Sequence, residues 1–152
     1  MHIGLGLQFA NLDRRVPDAD VYALELGLGA RAEQAGFDSV WVSEHHFSDY
    51  QLTSQQSMVL SWLAGQTSRI RLGTFVTVLP WHDPVRVAES FSVLDHLSGG
   101  RAVLGLGRGL GQKEFVGFRV PMGESRRRFK EYSHALLDGL ETGVMAYDGE
   151  VY

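Results

Sequence analysis

The sequence predicts an α/β fold built from parallel (β/α) units, about four strands and four helices in all. Three observations carry this reading. Apolar segments begin near residues 3, 37, 70 and 101 at similar spacing, and each is followed by a stretch with apolar residues at helical intervals. Glycine, proline or acidic residues punctuate the junctions.

The first strand runs from Ile3 to Phe9, and Gly4 and Gly6 within it mark a backbone closely approached from one side. Val21, Leu24, Leu28, Ala32 and Ala35 then recur at helical spacing, with Gly36 as the stop. Phe37 to Ser43 is the second strand. Its helix is centred on Met58, Val59, Trp62 and Leu63 and ends near Thr67. The third strand, Ile70 to Leu79, is rich in branched residues and stops at Pro80, which cannot donate to a ladder. Asp83-Pro84 opens the third helix, the carboxylate accepting from early amides and the proline sitting where its missing N–H is harmless. Val87, Phe91, Leu94 and Leu97 form its packed stripe. After Ser98-Gly99-Gly100, Arg101 to Gly109 makes the fourth strand, and the last helix begins near Ser125 with Phe129, Tyr132, Leu136 and Leu140 on its packed side.

Four such units are half of a TIM-type barrel, and they could equally form a small open doubly wound sheet. A complete barrel takes about 250 residues. This sequence has 152, and its last residues include "YDGE", a turn that looks set to enter another strand. The expectation is a truncated or split barrel, residues 1–152 forming one partial barrel domain. Its first and fourth strands would present unpaired apolar edges, which favours association into an oligomer or pairing with a missing carboxyl-terminal half.

Composition narrows the function. At 44% hydrophobic the chain can bury a sizeable core, and 14 basic against 18 acidic residues give no electrostatic reason to bind nucleic acid. With no cysteine, a disulfide scaffold, a thiolate nucleophile and a cysteine-ligated metal are excluded. No stretch approaches the roughly 20 apolar residues of a membrane span, and no basic segment precedes an apolar run at the start. The expected setting is cytoplasmic.

The run Gly105-Leu106-Gly107-Arg108-Gly109-Leu110-Gly111 fails the dinucleotide-binding spacing, because position 110 is leucine. Glycines at a strand's carboxyl end could instead let the backbone lie against a flat ring or a phosphate, or could simply serve a tight strand exit. Glu44, His45 and His46 fail the zinc-protease pattern, which needs histidines four apart. Neighbouring strand residues point oppositely, so the two histidines would not share one metal, and no metal site is assigned. At a strand's carboxyl end, however, polar residues lie where barrel sites form. His45 is the candidate there, with Glu44 positioned to orient it or favour its protonated form; the alternative is a structural histidine bonded to Glu44 or backbone. Thr74-Phe75-Val76 reads as core by composition, and Trp62 and Trp81 as packing. His2, His82, His96 and His134 share no spacing and receive no catalytic role. Arg108 and Arg126 could approach an anionic cofactor near the start of the last helix; the alternatives are strand-end closure through backbone hydrogen bonds for Arg108, and solvent exposure or pairing with Glu124 or Glu131 for Arg126.

Together "GFDSVWVSEHHF", "LGTFVTVLPWHDPVRVAES", "LDHLSGGRAVLGLGRGL" and "ESRRRFKEY" resemble, in order and spacing, the amino-terminal half of the bacterial-luciferase-like, flavin-dependent monooxygenases. The resemblance covers nearly the whole chain. It implies that His45, beside Glu44, handles protons at the reduced flavin's oxygen adduct. It places Phe75 and Val76 on the strand that supports the flavin ring, where the family often has a non-prolyl cis peptide, and sets Arg108 and Arg126 near the flavin phosphate. Gly107 stands where the catalytic subunit of bacterial luciferase has a reactive cysteine, which argues against light emission from a long-chain aldehyde. The implied chemistry uses reduced FMN and O2 to oxidise an organic substrate, with a flavin reductase as supplier. The alternatives are an F420-dependent oxidoreductase and a non-catalytic half-barrel partner.

Overall fold

A computed structural model describes residues 1–152. The elements follow the expected alternation. Strand β1 spans Gly4–Leu7, helix α1 Asp18–Ala32, β2 Ser39–Val42, α2 Gln56–Gln66, β3 Arg71–Thr74, β4 Thr77–Val78 and α3 Pro84–Ser98. They are followed by β5 at Ala102–Val103, β6 at Leu106–Gly107, α4 at Gln112–Gly117 and α5 at Ser125–Thr142. One sheet runs β1-β2-β3-β5, all parallel, and β4 pairs in parallel with β6 as a second short ladder further along the same strands.

The third and fourth expected strands are therefore each divided. The break in the third falls at the cis peptide Phe75-Val76. Opposite it, the Thr74 hydroxyl donates to the Gly105 carbonyl and accepts from the Gly105 N–H, both at 2.9 Å, so a side chain replaces the ladder at that point. A Cβ on residue 105 would stand 2.2 Å from the Thr74 carbonyl oxygen, which is why glycine is needed there.

The two faces of the sheet differ. Leu7, Val40, Val42 and Leu72 are essentially fully buried against the helices, in a cluster that includes Val59, Leu60 and Leu63 of α2 and Leu94 of α3. Burying each such side chain stabilises the fold by about 1.5–3 kcal/mol relative to exposure. On the concave face the Trp41 indole lies across its neighbours: a Cβ at Gly73 would meet its ring at 2.3 Å and one at Gly4 would meet Nε1 at 2.5 Å. The close approach expected at Gly4 is this indole. A smaller cluster of Leu79, Val87, Tyr132 and Leu136 joins α3 to α5.

Local signals at α3 hold. Asp83 accepts from the Val85 N–H at 2.8 Å, Pro84 is the first helical residue, and Gly99 closes the helix at φ 67°. The helix faces differ more from expectation. Leu24, Leu28 and Leu97 are exposed, and α1 packs instead through Val21, Gly29 and Ala32, with Gly29 seated against Leu63 and Leu7. Met58 and Trp62 are also exposed, so Trp62 is not a packing residue; α2 buries Val59, Leu60, Leu63 and Ala64. Its sequence is apolar nearly all round, so periodicity does not select a face. Residues after Thr142 form no strand, and the "YDGE" segment turns back so that Tyr152 packs on Tyr132 at 5.2 Å.

Candidate active site

The loops leaving the carboxyl ends of the strands converge on one cavity of about 500 Å3, whose lining includes His45, Tyr50, Phe75, Val76, Trp81 and Glu114. Volumes of this order hold small-molecule ligands. Glu44 stands at its wall, 4% exposed. Its Oε2 accepts from the Val78 N–H at 2.7 Å, and its Oε1 lies 2.5 Å from His82 Nε2 and 2.9 Å from His46 Nε2. Burial pushes this carboxyl up, but hydrogen bonds from His46, His82 and the Val78 amide outweigh burial and hold it at about 2. Glu44 is thus an ionised acceptor that ties together the ends of β2 and β4 and the approach to α3.

The two adjacent histidines part company, as their opposed directions predict. His46 packs its ring against Phe118 at 4.6 Å and Trp81 at 5.7 Å, its Nε2 taken up by Glu44, at the border of the same cavity. His45 turns the other way. Its ring edge meets Tyr50 at 5.0 Å, and its Nδ1 is 3.2 Å from Glu114 Oε1. Glu44 is therefore not the partner of His45, contrary to the sequence reading; the carboxylate that meets His45 is Glu114, from α4. The same Glu114 oxygen accepts the His46 backbone N–H at 3.0 Å. His82, given no role from sequence, is a direct partner of Glu44.

Phe75 and Val76 line the cavity, joined by the cis peptide that the resemblance implied, and Phe75 leaves 70% of its surface open. They are not core residues, as composition alone suggested. Gly107 pairs with Val78, and the space of its missing side chain is taken by Val76, whose Cγ2 would be 2.1 Å from an added Cβ. Gly109 likewise makes room for Val78 and Trp81, with φ 79°. The glycines thus let neighbouring side chains cross the strand. Arg108 donates to the Ser125 hydroxyl at 3.2 Å, at the first residue of α5. Arg126 is exposed in the first turn of α5 and makes no hydrogen bond, while Arg128 and Arg127 pair with Glu124 and Glu150.

These features fit a flat cofactor bearing a phosphate. An open aromatic face at Phe75 and the apolar Val76 can support a ring, His45 faces the same cavity, and Arg108, outside the cavity lining and beside the amino end of α5, offers positive charge to an anion.

Fold and site together define the amino-terminal half of a (β/α)8-type barrel with its site at the strand ends. The chain belongs to the luciferase-like monooxygenase family, whose model matches residues 1–152. It is 39% identical over 124 residues to the alkanal monooxygenase alpha chain of Photobacterium leiognathi, a match covering 82% of this chain and 35% of that one. It is 40% identical over 118 residues to the uncharacterized protein y4vJ of Sinorhizobium fredii, 78% of this chain and 34% of that one. Among solved structures, the monooxygenase RslO1 of Streptomyces bottropensis superposes with TM-score 0.84 at 28% identity over 91% of this chain and 42% of that one. The oxygenating constituent of 3,6-diketocamphane monooxygenase from Pseudomonas putida, solved with FMN, shares the fold at TM-score 0.89 and 18% identity, covering 100% and 43%. The chain spans about a third of the length of its curated relatives. No helix is long and apolar enough to cross a membrane.

Proposed function

We propose that residues 1–152 form the partial barrel domain that carries the proton-handling side of a flavin-dependent monooxygenase using reduced FMN and O2. The observation that carries this is His45 in the strand-end cavity, held through Nδ1 by Glu114 and with no protein partner at Nε2, facing the same space as the open Phe75 ring and Val76. Bound reduced FMN would supply two electrons and two hydrogens, so that one oxygen atom of O2 enters an organic substrate and the other leaves as water. His45 moves a proton at Nε2, Phe75 and Val76 support the ring, and Arg108 with Arg126 neutralises the phosphate.

A second reading is supported by the fold shared with an F420-dependent secondary alcohol dehydrogenase, TM-score 0.77 at 21% identity. Anaerobic titration of the chain with reduced FMN and, separately, reduced F420, read by absorbance and native mass spectrometry, distinguishes the two. Stoichiometric FMN binding, followed by transfer of 18O from O2 into substrate once a carboxyl-terminal half or second copy completes the barrel, is the expected result. Preferential F420 binding favours the second reading, and binding of neither by the completed assembly favours a non-catalytic partner.

A further inference from the structure

We propose that Glu114 is the positioning residue of His45, holding its imidazole as the Nδ1–H tautomer so that Nε2 presents a lone pair to the cavity. The proposal rests on the reading of His45 as the proton-handling group and assigns what makes it an acceptor. Glu114 Oε1 already accepts the His46 backbone N–H at 3.0 Å, so His45 Nδ1, 3.2 Å away, joins the same oxygen as a second N–H donor. A neutral imidazole has one N–H; with it at Nδ1, Nε2 is left unprotonated. In water a neutral histidine side chain favours the opposite form, so the pairing inverts the default and turns the cavity-facing nitrogen from donor to acceptor.

The placement of Glu114 is specific. It is 6% exposed, although its element, α4, lies at the surface, with Gln112, Lys113 and Val116 exposed. Residue 111 is glycine, and a Cβ there would stand 2.0 Å from Glu114 Oε2, so the backbone before α4 leaves room for the carboxylate. The paired His46 amide fixes Oε1 relative to the loop that carries His45. The carboxylate acts on the reacting atoms through the imidazole.

Long-range 1H–15N correlation spectra of the histidine-labelled chain, recorded at alkaline pH where the rings are neutral, test this without turnover or bound flavin. The wild-type chain is expected to show a pyridine-type Nε2 and a pyrrole-type Nδ1 for His45. In Glu114→Ala most of the intensity should move to the reverse pattern, while Glu114→Gln, whose amide oxygen still accepts Nδ1–H, should keep the wild-type pattern. A pyrrole-type Nε2 in the wild-type chain overturns the proposal, as does a folded Glu114→Ala chain whose His45 signals do not move. If the alanine variant does not fold, the wild-type spectrum alone decides. Failure of the chain to use a flavin would leave the tautomer result standing, and the wrong tautomer would overturn the role of Glu114 while leaving flavin binding untouched.

Discussion

The Glu44 carboxylate and the His82 ring, 38 residues apart in sequence, meet at 2.5 Å between Oε1 and Nε2. With His46 and the Val78 amide they make Glu44 the acceptor on which three donors from separate parts of the chain converge. Glu44→Ala leaves the buried His46 ring and Val78 amide without their acceptor and removes the partner of the half-buried His82. A loss of about 3–5 kcal/mol is expected, the scale for breaking a buried, hydrogen-bonded charge pair. Urea unfolding should give a midpoint well below wild type. A variant within about 1 kcal/mol of wild type would show that the cluster does not support the fold.

The same carboxyl predicts an acid limb of stability. Glu44 and Glu33 are both held at about 2, below the ordinary 4.5. In each case burial raises the value and hydrogen bonds outweigh it, for Glu33 those from the Arg69 and Ile70 amides at 2.7 Å and from Ser68. Because the folded-state values are depressed, the stabilisation is present above the unfolded value and is lost as pH falls from about 4.5 towards 2. For the buried Glu44 the neutral-pH contribution is about 3 kcal/mol. Thermal unfolding from pH 7 to 2.5 should show a steep decline in the wild type and a shallower one in Glu44→Gln. Parallel curves would contradict the assignment.

His45 and His46 should separate in their effects. His45→Ala removes one hydrogen bond at a side chain 32% exposed, so its stability cost is about 1 kcal/mol, while oxygenation by a completed assembly should fall about 10²–10⁴-fold. His46→Ala removes a ring that is 9% exposed in its side chain, packed edge-on against the stacked Phe118 and Trp81 and bonded to Glu44, and should cost about 2–4 kcal/mol. Denaturation curves paired with flavin-dependent turnover test the contrast. Equal stability losses in the two variants would count against the division of roles.

The features legible in the sequence are those set by neighbours along the chain. Asp83, Pro84 and Gly99 bound α3 because capping is local, and the second, third and fourth strand starts are visible because each of those apolar runs is preceded by a turn or bend. The rest depends on residues far apart. Nothing near residue 45 signals Glu114, which lies 69 positions away on a six-residue helix too short to have an apolar period. His82 became significant only when the third strand delivered it to Glu44. The divisions of the third and fourth strands come from Thr74 bonding Gly105 across the sheet, a pairing neither segment reveals alone. The resemblance did reach one such feature, the cis peptide at Phe75-Val76.

Val76 and Gly107 supply the last test, because they share one volume. A Cβ on residue 107 would lie 2.1 Å from Val76 Cγ2 and 3.1 Å from its Cβ, so the valine fills the place a side chain at 107 would need. Gly107→Cys, which would install the residue type implied there for the luciferase catalytic subunit, must therefore push Val76 or its strand aside, at a cost of about 1–3 kcal/mol. Val76→Ala removes the obstructing methyls and leaves a gap of its own. In the double variant the new side chain occupies that gap, so the combined loss should be smaller than the sum of the two single losses by about 1 kcal/mol or more. A double-mutant cycle by urea unfolding reads this directly. Additive losses would mean that the two positions do not compete for space. Coupling would mean that residue 76, which lines the cavity, determines whether a thiol can stand at 107 behind it.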